Sequence, residues 1–228
     1  MRKRLVICGT QGAALVVADA VVAMGTYELV GFIGKQTAQS EDELAKGDAR
    51  CEPVLGDDDH LQSLAAEGKI EAVFVAIGEN YLRMAVTRRL QAALPDTIDF
   101  PTIIHPAATV AESASCESAS LVLAGAVVGP GARLREGCWV NTSASLDHHG
   151  QMMPYASLAP GVVTGGNVRI GEGSAICIGA VISHGLVVGD WSVVGAGAAV
   201  VRDVPDEVVA FGVPARVVRS RRRDEAYL

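Results

Sequence analysis

The sequence predicts two domains of different class: an α/β domain built on a small, Rossmann-like parallel sheet over residues 1–103, and an all-β parallel β-helix of hexapeptide repeats over residues 104–228 that ends in a C-terminal tail. Three observations carry that division. Strand-like apolar runs alternate with helical patterns in the first hundred residues, and a six-residue period then runs unbroken from Ile104 to Pro205. Of the 45 charged side chains (19 basic and 26 acidic), only 11 fall within residues 104–205.

In the first domain, Arg4 to Cys8 is a short apolar run closed by Gly9-Thr10-Gln11-Gly12, and Ala13 to Met24 follows with helical periodicity. This reads as strand, glycine turn and helix. Tyr27 to Ile33 reads as a second strand, Asp57 to Ala66 as a helix opened by acidic residues, Ala72 to Ile77 as a third strand and Asn80 to Leu94 as a helix. Such alternation implies a parallel sheet. Its ligand end lies where strands stop and helices begin, at Gly9 to Ala13, at Gly34-Lys35 and at Gly78 to Asn80. A helix N-terminus behind a glycine turn suits a phosphate; a tight turn with no ligand is the simpler alternative. The dinucleotide fingerprint lacks its third glycine, and Gly34-Lys35 stands where an acidic ribose ligand belongs, which disfavours a nicotinamide cofactor.

In the second domain, positions six apart from Ile104 to Val200 are aliphatic or Met except Cys116 and Thr164. Four residues after each comes a mostly small residue, such as Ala126, Ala132, Cys138, Ala144 and Ala156. A period of six fits neither a helix nor a simple strand. It fits a triangular prism in which each hexad is one short side, the large residue filling the prism and the small one allowing the corner. The 102 residues from 104 to 205 make a little under six coils of 18. Faces so poor in charge point to packing against further subunits.

The net charge of −7 argues against nucleic acid as a partner. Five cysteines (Cys8, Cys51, Cys116, Cys138, Cys177) show no metal-ligand spacing and read as free thiols in a reducing cytoplasm. The apolar run after Met1-Arg2-Lys3-Arg4 is broken by Gly9, and no stretch reaches a membrane span, so a cytoplasmic protein with no membrane partner is expected.

One hexad departs from the bland pattern: Leu146-Asp147-His148-His149-Gly150-Gln151, preceded by Val140-Asn141-Thr142-Ser143. His148 stands two places after an inward aliphatic, so its side chain projects from the prism rather than into it. A histidine between Asp and His on a charge-poor surface is a candidate for proton transfer.

These residues, with Ser157-Leu158-Ala159-Pro160-Gly161, Gly166-Asn167-Val168, Ile170-Gly171 and the closing Gly212-Val213-Pro214-Ala215, resemble the sialic-acid O-acetyltransferase-like sugar acyltransferases, which include bacillosamine- and perosamine-type sugar-nucleotide N-acetyltransferases of bacterial glycan pathways. The resemblance spans almost the whole chain. It implies a left-handed β-helix, a homotrimer, and direct transfer from acetyl-CoA to the amine of a nucleotide-linked sugar. His148 would be the general base, with Asn141, Asp147 and His149 beside it. Ser157, Gly166, Ile178 and Ala196 match the family's acetyl-CoA contacts, and no metal is required. The nucleotide would lie over Gly9, Thr10, Gln11, Gly12 and Ala13, with Gly34, Lys35 and Asn80 nearby. This chain departs from the family twice. His149 stands where an acidic residue usually follows the catalytic histidine, so that Asp147 takes part of its role or His149 orients the acceptor. Ala13 and Gly34-Lys35 replace the usual His and acidic pair of the nucleotide pocket, which leaves uracil, guanine and thymine nucleotides open.

Rival readings are O-acetylation of a hydroxyl, a non-enzymatic scaffold, and a zinc carbonic-anhydrase-like site. For the last, His148 and His184 share a phase but stand two coils, about 10 Å, apart, too far to share a zinc within one chain. The arginines from Arg216 to Arg223 read as a solvated tail, with CoA phosphates as the alternative partner.

Overall fold

The computed structural model describes residues 1–10, 12–34 and 53–227. Gln11, Lys35 and Cys51 lie outside the described residues. The chain forms two compact units: Met1–Gly78 with Leu82–Ile103, and Ile104–Leu228 with Glu79–Tyr81.

In the first unit, strands β1 (Lys3–Cys8), β2 (Tyr27–Ile33), β3 (Val54–Gly56) and β4 (Ala72–Val75) form one parallel sheet in the order β3-β2-β1-β4. Leu5, Val6 and Ile7 are fully buried although they point alternately to opposite faces, which requires cover on both sides, as a parallel sheet with crossover helices provides. Helix α1 (Gly12–Met24) buries Ala14, Val17, Ala20 and Val21. The other face packs Val6, Cys8, Val73 and Val75 against Leu61 and Ala65 of α2 (Asp58–Ala66) and Leu90 of α3 (Asn80–Ala93).

Two boundaries move for identifiable reasons. Asp57 is the cap of α2 rather than its first residue, its carboxylate accepting the His60 N–H at 3.3 Å. Strand β4 stops at Val75 instead of Ile77, and the buried Arg83 guanidinium takes the carbonyls of Ile77 and Gly78 at 3.0 and 3.2 Å. Strand β3 is a further addition. Three residues carry no periodicity, and β3 pairs because Gly31 lets the chain at Pro53 approach: a Cβ on Gly31 would meet the Pro53 carbonyl oxygen at 2.5 Å.

In the second unit, seventeen two-residue strands, β5 (Ile103–Ile104) to β21 (Ala199–Val200), recur every six residues and pair in parallel with the strand 18 residues on. Every third strand joins the same sheet, giving three faces. The inward residues from Val122 to Val200, Thr164 included, are at most 3% exposed. Burying one such aliphatic contributes about 1.5–3 kcal/mol. The left-handed residue of each corner precedes the second inward position of its hexad, as at Gly131, His149, Asn167 and Gly185, each 18 further along.

The arginine-rich end is a folded cap rather than a loose tail, although Arg216, Arg219, Arg222 and Arg223 stay exposed, as the expected solvation requires. After Val200 the coil shortens, with Val188 bridging Val204. Strands β22 (Val208–Phe211) and β23 (Arg216–Ser220) form an antiparallel hairpin on one face. Arg221 is 6% exposed and donates to the Trp191 carbonyl at 2.7 Å. Arg223 pairs with Glu207 and Arg219 with Glu225. No periodicity marked this segment, because β23 has no buried face.

Candidate active site on the prism

Strand β12 (Ser145–Leu146) delivers the chain to Asp147, His148 and His149, all exposed. Three features aim the imidazoles. Asp147 Oδ1 accepts the His148 backbone N–H at 2.6 Å, which ties the carboxylate to the main chain and not to a ring. The ring atom nearest His148 Nδ1 is His149 Nδ1, 3.1 Å away, with the two rings nearly perpendicular. His149 is a left-handed corner residue at φ 56°, and its ring lies over Gly131, where a Cβ would stand 3.1 Å from Cδ2.

The His148 ring lies in turn over Gly166, one coil further on. A Cβ there would stand 2.2 Å from Nε2 and 2.3 Å from Cε1, so only glycine leaves the ring this position. The Gly166 N–H donates to no described residue.

The remaining expected residues divide. Ile178, 63% exposed, and Ala196, also exposed, occupy the same place in adjacent coils and form an open apolar edge. Asn141 donates its side-chain amide to the Leu158 carbonyl at 2.8 Å, not to an imidazole. Ser157 is buried, and its Oγ accepts from Asn80 Nδ2 at 3.0 Å; the same amide also reaches the Gly173 and Ser174 carbonyls at 3.2 Å. Asn80 and Ser157 thus bond each other beneath the surface, and both are less than 10% exposed.

At the sheet's ligand end, Gly9 is required by packing, since its Cβ would meet the Ala76 carbonyl oxygen at 2.6 Å. Gly34 lies against Thr10, its Cβ position 3.0 Å from the threonine methyl. Gly12, at the start of α1, has nothing within 4 Å of its Cβ position, and Ala13 follows it half-buried. The expected substrate residues Gly9, Thr10 and Gly34 are thereby brought to one end of the sheet.

Burial pushes the Cys8 thiol up to about 12, and those of Cys116 and Cys177 upward, so these cysteines are protonated and play no part in proton transfer near neutral pH. Among the described residues no helix is long and apolar enough to cross a membrane.

A parallel prism of six-residue coils carrying an exposed histidine over a glycine defines a hexapeptide-repeat protein with a candidate site for proton transfer. Comparison with known proteins narrows this. Residues 4–90 match the PglD N-terminal domain family. The acetyltransferase domain of PglB from Neisseria gonorrhoeae, solved with acetyl coenzyme A, is 36% identical over 96% of this chain and 100% of that one, with a TM-score of 0.84. A histidine-to-alanine mutant of GDP-perosamine N-acetyltransferase from Caulobacter crescentus, solved with CoA and GDP-perosamine, is 30% identical over 95% of this chain and 97% of that one, with a TM-score of 0.83. The galactoside O-acetyltransferase of Escherichia coli is 45% identical over 67 residues, which are 29% of this chain and 30% of that protein. The chain belongs to the PglD-like family of sugar acyltransferases, and its prism is a left-handed parallel β-helix.

Proposed function

We propose that the protein transfers acetyl from acetyl-CoA to the amine of a nucleotide-linked amino sugar, with His148 as general base. The observation that carries this is the His148 imidazole, exposed over Gly166 with Nδ1 paired to His149 and Nε2 left for chemistry. In the tautomer this reaction requires, the His148 Nδ1–H donates to His149 Nδ1, 3.1 Å away, and Nε2 keeps its lone pair. The acceptor amine attacks the thioester carbonyl, the C–N bond forms, and Nε2 takes the amine proton. The Gly166 N–H donates to the tetrahedral oxyanion. As the C–S bond breaks, the proton on Nε2 passes to the departing thiolate. No acyl-enzyme forms.

The relatives solved with acetyl-CoA, and with CoA and GDP-perosamine, support acetyl transfer to a nucleotide-linked amino sugar. Ile178 and Ala196 offer an apolar edge to the pantetheine arm. Residues 1–103 would bind the nucleotide through the turn at Gly9 to Ala13, with Lys35 set for a diphosphate, and residues 104–228 would carry the transfer. Valines 127, 163 and 181, exposed on one sheet, support a homotrimer with cofactor sites between subunits.

The decisive test is a screen of UDP-, dTDP- and GDP-linked amino sugars with acetyl-CoA, following thiol release, on the parent and on His148→Ala. Turnover in the variant should fall about 10²- to 10⁴-fold. Full activity in that variant would remove His148 from the mechanism. Light scattering should give about three times the 23.6 kDa chain mass. A second reading, O-acetylation, is favoured by the match to the galactoside O-acetyltransferase. A product whose acetyl group is lost in mild alkali would establish an ester and decide for it.

A further inference from the structure

Along the prism, the residue after each inward side chain donates its N–H to the carbonyl of the inward residue one coil on. Gly129 bonds Leu146 at 2.8 Å, Asn141 bonds Leu158 at 2.9 Å, Met153 bonds Ile170 at 2.9 Å and Gly165 bonds Ile182 at 2.8 Å. From His105 to Ser183 this ladder has one exception, and it falls at the residue before His148. The Asp147 N–H goes to the side-chain hydroxyl of Thr164 at 3.2 Å. The pairing of β12 with β15 (Val163–Thr164) keeps only Ser145 with Val163, whereas β12 pairs two residues deep with β9 (Val127–Val128), as β15 does with β18 (Val181–Ile182).

Thr164 is also a chemical exception, a hydroxyl 3% exposed in a column of aliphatics. Burying a hydroxyl there has a cost unless the group is used. Its use here is to draw the backbone of Asp147 off the regular ladder. Asp147 then closes on the His148 N–H, and Gly166, two residues after Thr164, receives the His148 ring.

We infer that Thr164 is a positioning residue for His148: its hydroxyl replaces a main-chain acceptor and so sets the backbone from which the imidazole reaches over Gly166. The inference rests on His148 being the general base. Valine has the same shape, lacks the acceptor, and suits the apolar column, so in Thr164→Val the regular Asp147 to residue-164 carbonyl bond forms and the ring shifts.

The test measures steady-state kinetics of the full chain with acetyl-CoA and its best amino-sugar nucleotide. Thr164→Val should lose about tenfold or more in kcat, because displacements of this kind near an ångström cost up to about 10²-fold, while the KM for acetyl-CoA stays within about twofold. Thr164→Ser keeps the hydroxyl and should retain most of the activity. In a His148→Ala background, Thr164→Val should cost nothing further. Should Thr164→Val fail to fold, Thr164→Ala removes the same acceptor and carries the same expectation. Parent-like kcat in Thr164→Val, an equal loss in Thr164→Ser, or an added loss in the His148→Ala background would overturn the inference. A fully active His148→Ala would instead overturn the assignment of the base.

Discussion

Replacing Gly166 by alanine adds one methyl group to the prism wall and tests the geometry of the site without touching a titratable group. Gly166 has no left-handed φ, so its backbone accepts alanine. The new Cβ would stand 2.2 Å from His148 Nε2, 2.3 Å from Cε1 and 2.7 Å from Cδ2. Ordinary contact needs about 3.5 Å, so the ring must retreat by roughly 1.3 Å. Misplacing a reacting group by about 1 Å costs on the order of 10²-fold, equivalent to about 2.7 kcal/mol in the barrier. The imidazole is exposed and can swing into solvent, so fold stability should change by no more than about 0.5 kcal/mol. The assay is thiol release from acetyl-CoA, with thermal unfolding recorded on the same samples. Repeating Gly166→Ala in His148→Ala separates a displaced base from a damaged cofactor site, since the methyl meets no ring in that background. Parent-like turnover in Gly166→Ala, or the same added loss without the imidazole, would refute the placement of His148 over Gly166 as the working geometry.

Three further outcomes follow from the same contacts. His149→Phe keeps a ring over Gly131 but removes the Nδ1 acceptor, and should lower kcat about tenfold with unchanged unfolding temperature; unchanged kcat would dismiss His149 as the partner of His148. Asn80→Ala strips the donor from Ser157 Oγ and from the Gly173 and Ser174 carbonyls, and should cost about 1–3 kcal/mol in urea unfolding while leaving the KM for the sugar nucleotide unchanged; a raised KM with intact stability would return Asn80 to the substrate site. Cys8 keeps its proton in the fold up to about 12, against an ordinary value of 9.0, so between those values the unfolded chain binds fewer protons. Its contribution is complete below pH 9 and declines above it, by up to about 1.4 kcal/mol per pH unit. Urea midpoints between pH 8 and 11 should therefore fall less steeply for Cys8→Ala than for the parent, and parallel slopes would contradict the burial of the thiol.

The prism was legible because its signal is repeated. An inward side chain every six residues appears seventeen times, and the strands from Ile103–Ile104 to Ala199–Val200 keep that register without a slip. His148 was legible for the opposite reason, as a titratable residue where the repeat supplies alanine, glycine and valine. Strand β3 and the C-terminal hairpin were not, since three residues carry no period and an exposed strand has no apolar face to display.

By itself, then, the sequence determined the coil, its period and the residues that face outward, because the partition of side chains between core and solvent depends only on their order along the chain. Which outward residues meet was decided by the tertiary structure. Asn80 and Ser157, 77 positions apart, bond each other below the surface, and Asp147 turns to the main chain while His149 turns to His148. The His148 ring comes to lie over Gly166, 18 residues away. Hydrogen bonds and contacts of a few ångströms depend on the stacking of one coil on the next, and six-letter periodicity carries no record of it.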